Sequence, residues 1–322
     1  MSNKGKGKTM GELLNQKGLI ANIERYAIND GNGVRTTVFV KGCYLRCRWC
    51  CNPETQEFYP QMSFFSDKCI ACFNCKKLCP YHAINDELIA DRSICRNCYK
   101  KEDAFACTKK CYVGCRKVTG QEMTVKEVID VVERDSPFYE SSGGGVTISG
   151  GEPLAQPDFT YALLKSLHER WIDTCIETCG FAEQYAYERI LPYIDTIFMD
   201  IKNIDSGKHK EWTGQNNTKI LDNARYLSAM GQKFGFRLFF RIPIIPGFND
   251  KREDVEKTAD FVKENCDYFT GMELLPYHQL GRGKYYSLGR KYELENMDSP
   301  SDEHIDMLNH VLADHDIPIY KF

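Results

Sequence analysis

Short apolar segments and amphipathic segments follow one another along most of this chain, and the two patterns predict different secondary structures. Residues 35–41 (RTTVFVK) are rich in β-branched side chains and end at Gly42, which is typical of a strand. Residues 124–135 place apolar side chains at helical spacing behind Thr124, a capping residue with Glu127 three positions later. The same patterns predict further strands at residues 145–149, 172–177, 194–201, 236–244, 271–276 and 317–320. They predict further helices at residues 157–170, 182–190, 217–230, 250–265 and 304–313.

The order of these elements predicts the fold class. Repeated strand–helix units form a parallel sheet with right-handed crossovers, so the chain is predicted to be an α/β protein. Six or seven units, rather than eight, favour a partial (β/α)6-type TIM barrel built from residues 19–61 and 120–322. Residues 1–18 are polar and are predicted to be a flexible tail. Ligands of such sheets bind at the carboxyl ends of the strands, and the unusual residues of this chain follow those ends.

Composition excludes several classes of protein. The 42 basic and 45 acidic side chains give a net charge of −3, which argues against a nucleic-acid-binding protein and against global disorder. No apolar run approaches the roughly 18 residues of a membrane span. Residues 11–21 lack the hydrophobic core of a secretory signal, so we expect a cytoplasmic protein that does not bind membranes.

Cysteine is concentrated in one part of the chain. Of the 16 cysteines, thirteen lie between Cys43 and Cys115. Disulfide scaffolds of this density are usually small and secreted. A large chain without a secretory signal more often uses such thiols as metal ligands.

The first cysteine group follows the first predicted strand directly. Cys43, Cys47 and Cys50 have the spacing C-x3-C-x2-C. Three thiolates on one loop can bind three irons of a 4Fe–4S cluster and leave the fourth iron open, as a catalytic metal site requires. The alternative is a zinc site completed by a distant residue.

A second group of cysteines predicts an inserted ferredoxin-like domain at residues 62–119. Cys69, Cys72, Cys75 and Cys79 precede Pro80 with the spacing of bacterial ferredoxins, in which the fourth cysteine binds the other cluster. Cys95, Cys98, Cys107 and Cys111 follow with a longer central gap. This crossover predicts two auxiliary 4Fe–4S clusters. The first predicted ligand set is Cys69, Cys72, Cys75 and Cys111. The second predicted ligand set is Cys95, Cys98, Cys107 and Cys79. Replacement of Cys111 by Cys115 and a double zinc module are the alternatives.

The motifs at the strand ends resemble those of the radical S-adenosylmethionine (radical SAM) superfamily, and more narrowly of the enzymes that activate glycyl radical enzymes. The resemblance covers the chain from about Ile20 to its carboxyl terminus, and the predicted insert is similar to that of the larger activating enzymes. Two positions depart from the family pattern: Asn32 stands where proline is usual, and Cys51 where histidine or a similar residue is usual. The motifs that carry the resemblance are the three-cysteine loop, Ser149-Gly150-Gly151-Glu152-Pro153, Asp30-Gly31-Asn32-Gly33-Val34-Arg35-Thr36-Thr37, Cys51-Asn52-Pro53-Glu54, Glu177-Thr178-Cys179-Gly180-Phe181, Asp200-Ile201-Lys202, Arg241-Ile242-Pro243, Ile245-Pro246-Gly247-Phe248-Asn249-Asp250 and Pro276-Tyr277-His278.

The resemblance implies roles for individual residues. The residues that it implies for S-adenosylmethionine binding are Trp49, Gly150, Gly151, Glu152, Lys202, Arg241 and His278. Glu152 would accept from the ammonium group, Lys202 would pair with the carboxylate, and His278 would contact the nucleoside. Glu177, Thr178 and Asp200 match a region that holds a monovalent cation. Asp30 and Gly31 belong to a loop that would face the glycine segment of the partner.

The resemblance also implies an activity. One electron from the open cluster would cleave S-adenosylmethionine to methionine and a 5′-deoxyadenosyl radical. That radical would abstract a hydrogen atom from one glycine of a large partner enzyme. We expect a flavodoxin or a ferredoxin as the electron donor, and a monomeric activating enzyme. General similarity of the chain favours an arylacetate decarboxylase or an arylalkylsuccinate synthase as partner, and a dehydratase or a lyase is the alternative.

Two other functions remain open from the sequence. An electron-transfer ferredoxin fused to a barrel would need the eight insert cysteines but not the three-cysteine loop. A radical SAM enzyme could instead act on a small molecule or on RNA, although the chain lacks a basic patch.

Overall fold

The computed structural model describes residues 9–322 of the chain, and ten strands and thirteen α-helices occur in this part. The strands are β1 Lys17–Ala27, β2 Arg35–Val40, β3 Gln61–Phe64, β4 Arg116–Thr119, β5 Gln121–Thr124, β6 Gly145–Gly150, β7 Asp173–Thr178, β8 Thr196–Asp200, β9 Arg237–Ile244 and β10 Gly271–Pro276. The α-helices are α1 Met10–Leu14, α2 Asn74–Leu78, α3 Arg92–Cys95, α4 Ala106–Lys109, α5 Val125–Val132, α6 Ser136–Ser142, α7 Pro157–His168, α8 Gln184–Ile190, α9 Ser206–Thr213, α10 Thr218–Phe234, α11 Arg252–Asn265, α12 Arg282–Ser287 and α13 Asp302–Asp314.

Within residues 9–322, eight strands form one open sheet with the order β10-β9-β8-β7-β6-β2-β1-β5. The six strands from β10 to β2 are parallel, and β1 and β5 are added antiparallel at one edge. The parallel register pairs Val40 with Gly150 and Asp200 with Arg241, so the strand ends that precede the motifs lie at one edge of the sheet. The prediction of an α/β protein with a mostly parallel sheet is confirmed. The strand predicted at residues 317–320 is reduced to a single bridge from Ile319 to Met272.

The amino-terminal prediction was wrong for residues 9–18. Thr9 and Glu12 form a reciprocal capping box that starts α1, and Leu13 of that helix is buried in the main core. The polar residues around Leu13 hid this contact in the sequence pattern, since one apolar side chain carries it. Residues 1–8, the rest of the predicted flexible tail, lie outside the described residues.

The main core lies between the parallel sheet and the helices that connect its strands. In α7 the buried side chains include Phe159, Leu163 and Leu167, as the helical spacing predicts. Thr124 caps α5 and forms the predicted capping box with Glu127. Amphipathic helices packed in this way bury one face of the sheet and leave its carboxyl edge open for a site.

The segment between β3 and β4 has a core of its own. These two strands pair with each other and not with the main sheet, and α2, α3 and α4 lie between them in the chain. A separate cluster of buried side chains includes Met62, Ile84 and Phe105. Arg116 is buried beside this cluster, donates to the Leu88 carbonyl and lies 4.1 Å from the Phe64 ring centroid.

In residues 9–322, no helix combines the length and the apolar character needed to cross a membrane.

Candidate cofactor site at the carboxyl edge of the sheet

A cavity with a volume of about 390 Å³ opens at the carboxyl edge of the parallel strands. The structure brings most of the predicted site residues together in its wall. Those that line the cavity are Asp30, Cys43, Cys47, Trp49, Cys50, Gly150, Gly151, Glu177, Thr178, Asp200, Lys202, Arg241 and His278. Two predicted residues, Gly31 and Glu152, are not among the residues that line it.

The three-cysteine loop is fixed by backbone hydrogen bonds to the segment that follows it. Gly42 N donates to Thr55 O at 2.7 Å, and Cys43 N donates to Gln56 O at 3.1 Å. Burial raises the pKa of the Cys47 thiol to about 12 and raises the pKa of Cys50 well above its usual value. A soft cation that binds thiolates offsets this cost, so the buried Cys43 and the half-buried Cys47 and Cys50, which line one cavity, fit an iron–sulfur cluster.

The glycines that follow β6 are required by close backbone packing. Gly150 has φ +106°, and a Cβ atom there would come within 2.6 Å of Val40 O. A Cβ atom on Gly151 would come within 2.3 Å of Gly42 O, in the loop that carries Cys43. The backbone of Gly150 and Gly151 therefore packs closely against β2 and the loop after it. Both glycines also line the cavity with their backbone.

Lys202 is held at the end of β8 by charge and by a neighbouring amide. Its ammonium group lies 2.5 Å from Asp200 Oδ2. Burial disfavours its charge, but Asp200 and the nearby Cys47 and Cys179 outweigh burial and raise its pKa. The Asn249 side chain donates to Lys202 O and to Pro243 O, both at 2.7 Å. Lys202 therefore places a fixed positive charge in the cavity wall, and this charge can receive a carboxylate.

A buried charge network crosses four strands beneath the cavity. Arg241 donates to Glu177 at 2.6 Å and to Glu273 at 2.7 Å. Its guanidinium carbon lies 3.6 Å from the centroid of the Phe198 ring. Ser149 donates to the second oxygen of Glu177 at 2.6 Å. These contacts make Arg241 part of the cavity floor.

The residues predicted for a monovalent cation already have protein partners. Glu177 is bound by Arg241 and Ser149, and Asp200 by Lys202. The Thr178 hydroxyl lies 2.8 Å from both carboxylate oxygens of Glu152. The predicted set therefore lines one cavity, but its side-chain oxygens are engaged in ion pairs and hydrogen bonds of the fold.

The structure gives Glu152 a different place from the predicted one. This residue is fully buried, and its carboxylate accepts from Leu154 N at 3.1 Å and from Cys179 N at 2.8 Å, besides its bond with Thr178. Burial raises the pKa of the carboxyl group, although these donors oppose the rise. Glu152 thus joins the loops after β6 and β7, and its oxygens do not face the cavity as the prediction required.

The remaining predicted residues lie at the cavity rim or beside it. The Trp49 ring packs 5.0 Å from the Phe248 centroid, and His278 is an exposed residue of the rim. Asp30 accepts a hydrogen bond from Thr37, and Gly31 has φ +122° with the Arg35 side chain directly beside it. The loop after β1 is therefore turned back toward the cavity.

The insert places its cysteines in two groups. Cys79, Cys95, Cys98 and Cys107 all line one small cavity of about 20 Å³, as expected for the second predicted ligand set. In the other group, Cys111 Sγ lies 3.3 Å from Cys115 Sγ, and Cys115 also contacts Cys69. Cys111 and Cys115, the two candidates for the fourth ligand of the first predicted set, therefore lie close to that set.

Sequence reasoning missed several residues of the site. Glu273 is a charged residue inside the apolar strand β10, and that contrast is the signal that would have found it. Cys179 lines the cavity beside Cys43 although its spacing matches no ligand pattern. Asn249 belongs to a quoted motif, but nothing local in the sequence shows that its amide joins two strand ends.

The cluster-compatible thiols, the glycine loop and the open parallel sheet together define the radical SAM class. Residues 92–262 match the family model of the radical SAM superfamily. The chain is 41% identical over 281 residues to an isethionate sulfite-lyase activating enzyme of Nitratidesulfovibrio vulgaris, covering 85% of this chain and 88% of the relative. It is 39% identical over 312 residues to an indoleacetate decarboxylase activating enzyme of Tractidigestivibacter scatoligenes, covering 94% of this chain and 96% of the relative. The crystal structure of QueE from Escherichia coli matches with a TM-score of 0.52 at 12% identity, covering 98% of this chain and all of the other.

The chain belongs to the radical SAM superfamily and, within it, to the activating enzymes of glycyl radical enzymes. The fold agreement with QueE, at its low identity, supports the architecture alone.

Proposed function

We propose that this chain binds a 4Fe–4S cluster through Cys43, Cys47 and Cys50 and binds S-adenosylmethionine beside it, in order to place a radical on one glycine of a partner enzyme. The observation that carries the proposal is the shared cavity in which the three cysteine thiols, two glycines and Lys202 meet. The cluster and S-adenosylmethionine, when bound, supply the one-electron chemistry that removes a hydrogen atom from the glycine Cα.

The residues of the chain would bind and orient the cofactor. Lys202 would pair with its carboxylate, while the backbone of Gly150 and Gly151 would lie along its methionine part. Trp49 and His278 at the rim would contact the nucleoside. The Arg241 network would keep the floor of the cavity rigid, since each of its charges is already paired.

We assign residues 62–119 to a ferredoxin-like insert with two auxiliary 4Fe–4S clusters, attached to a partial (β/α)6 barrel. The shared cavity of Cys79, Cys95, Cys98 and Cys107 supports the second cluster. Ala71 and Phe73, on either side of Cys72, have left-handed backbone conformations (φ 51° and 58°). Such strain is typical of segments that wrap around a bound group.

An arylacetate decarboxylase is our first candidate for the partner, because the indoleacetate decarboxylase activating enzyme combines 39% identity with a match over 94% of this chain. A glycyl radical lyase is the second candidate, because identity is slightly higher, at 41%, to the isethionate sulfite-lyase activating enzyme.

Anaerobic reconstitution followed by radical measurement tests the proposal. Reduced enzyme and S-adenosylmethionine should give 5′-deoxyadenosine, and a glycyl radical should appear by electron paramagnetic resonance on one of two purified partners, a decarboxylase and a lyase. A Cys50→Ala variant should abolish both signals, whereas Cys266→Ala, a buried cysteine of the main core, should keep them. Deoxyadenosine without a radical on either partner would refute both partner assignments, and its absence would refute the activity.

A further inference from the structure

The charge of the chain is divided unevenly between the insert and the rest. Residues 62–119 contain eleven Lys and Arg side chains and six Asp and Glu side chains. The remainder contains 31 basic and 39 acidic side chains, so an insert of charge +5 is attached to a body of charge −8. A net charge of −3 for the whole chain conceals this asymmetry.

Four of the basic side chains lie on two neighbouring helices of the insert. Helices α2 and α4 pack against each other, and they or their ends carry Lys76, Lys77, Lys109 and Lys110. We call this surface the α2–α4 face. Two large apolar side chains stand on the neighbouring loops, Ile70 with 65% of its area exposed and Tyr112 with 80%. Exposed apolar side chains together with charged ones are the usual composition of a protein-docking surface.

A groove of about 480 Å³ lies in this face. Its walls are Phe73, Lys76, Lys77, His82, Ile84 and Asp86. Lys76 is paired with Asp86, while Lys77 is exposed to solvent. The predicted cluster ligand Cys75 is on α2, and the predicted ligand Cys72 is exposed just before it. The groove therefore lies on the helix that carries one predicted ligand of the first auxiliary cluster.

We propose that the α2–α4 face docks an acidic one-electron carrier protein. This inference rests on the proposed function, which requires a reductant. The carrier would lose one electron and the cluster held by Cys69, Cys72 and Cys75 would gain it, with no bond formed or broken. Electron-transfer encounters use small interfaces, and complementary charge sets their orientation and association rate. A carrier with negative charge is attracted to the insert and repelled by the body, so its approach is directed to the face nearest the cluster.

A charge-reversal variant with a matched control tests the docking surface. Lys77→Glu, Lys109→Glu and Lys110→Glu are combined in one anaerobically reconstituted protein, with full iron content as a requirement. The control combines Lys233→Glu, Lys257→Glu and Lys263→Glu, three exposed positions on α10 and α11. The probe is an acidic flavodoxin, and its Kd is measured by calorimetry at low and high salt.

We expect the face variant to bind flavodoxin at least about tenfold more weakly at low salt, with a smaller salt dependence, because charge steering is screened by ions. The control should bind like the parent. Deoxyadenosine formation driven by reduced flavodoxin should fall in the face variant, while formation driven by dithionite stays unchanged.

The outcomes separate the proposals. Equal flavodoxin affinity in the parent and the face variant would overturn the docking surface. A face variant with less iron or a slower dithionite reaction would show instead that the lysines stabilise the thiolate-bound clusters. Weakened binding of RNA, of the glycyl radical enzyme or of a second copy, with flavodoxin binding unchanged, would assign the face to that partner. A parent that forms no deoxyadenosine with dithionite refutes the proposed function but leaves a measured flavodoxin affinity intact.

Discussion

Replacement of Arg241 by Met tests the buried charge network beneath the cavity. The change keeps apolar volume over the Phe198 ring but removes charged hydrogen bonds of 2.6 Å to Glu177 and 2.7 Å to Glu273. The buried carboxylate of Glu273 and the half-buried carboxylate of Glu177 would then have lost their cation. Removing one partner of a buried ion pair costs about 3–5 kcal/mol, and we expect a loss of that size in the free energy of unfolding.

The assay is urea unfolding of the anaerobic holoenzyme, with Arg241→Lys as the conservative control and Glu273→Gln as the second arm of a double-mutant cycle. The lysine variant keeps the charge but not the two-sided geometry, so its loss should be smaller. Combining Arg241→Met with Glu273→Gln should restore about 1–3 kcal/mol, because one uncompensated carboxylate is removed.

The pH dependence provides an independent check. Burial already raises the pKa of Glu177, and Arg241 opposes that rise. Without the guanidinium the pKa of Glu177 should rise further. A carboxyl group whose pKa is higher in the folded state than in the unfolded state lowers the free energy of unfolding as pH increases, because the folded state must then hold an unfavourable charge. The deficit of Arg241→Met should therefore be smaller at pH 5 than at pH 8. A deficit below about 1 kcal/mol, or one that grows in acid, would refute the reasoning.

Three further perturbations have defined outcomes. Asp135→Asn should lower the free energy of unfolding by about 1–3 kcal/mol at neutral pH, because Arg25 holds the pKa of that buried carboxyl below its ordinary value. The parent should lose this contribution as pH falls through the lowered pKa. The same dependence of stability on acid pH in parent and variant would contradict the prediction. Cys47→Ala should remove about four irons by chemical analysis, while Cys175→Ala, buried in β7 beside β8, should remove none. Gly151→Ala should lower cluster occupancy measured by absorbance, because its Cβ meets backbone at 2.3 Å, and full occupancy would contradict the packing argument.

The parallel strands and their motifs could be predicted from the sequence because the relevant signals are local. A run of β-branched residues followed by glycine and cysteine marks both the strand β2 and its loop within about ten positions. The strand β10 was predicted with its observed bounds, Gly271–Pro276. Long-range pairing left no such mark: Arg241 contacts Glu177, 64 positions earlier, and Glu273, 32 positions later.

The same limit explains the displaced role of Glu152. Its motif indicates a residue near the cofactor, but its carboxylate is bound by groups on the loop after β7. The free-energy cost of burying an unpaired carboxylate determines its partners, since a buried carboxylate accepts hydrogen bonds from the nearest donors that the fold provides. The antiparallel strand β1 was missed for another reason, because its half-exposed residues weaken the apolar alternation.

The Asn249 amide has a consequence for retargeting the enzyme. One side chain joins the end of β8 to the end of β9, through Lys202 O and Pro243 O, and accepts from Ile245 N at 2.8 Å. Residues 278–300 follow β10 and lie outside this junction, but they contact the segment after Cys50, since Lys284 donates to Asn52 at 2.7 Å and to Glu54 at 2.8 Å. Exchange of outer segments between related activating enzymes, as a route to altered partner choice, should therefore retain Asn249, His278 and Lys284 so that the reactive centre keeps its geometry.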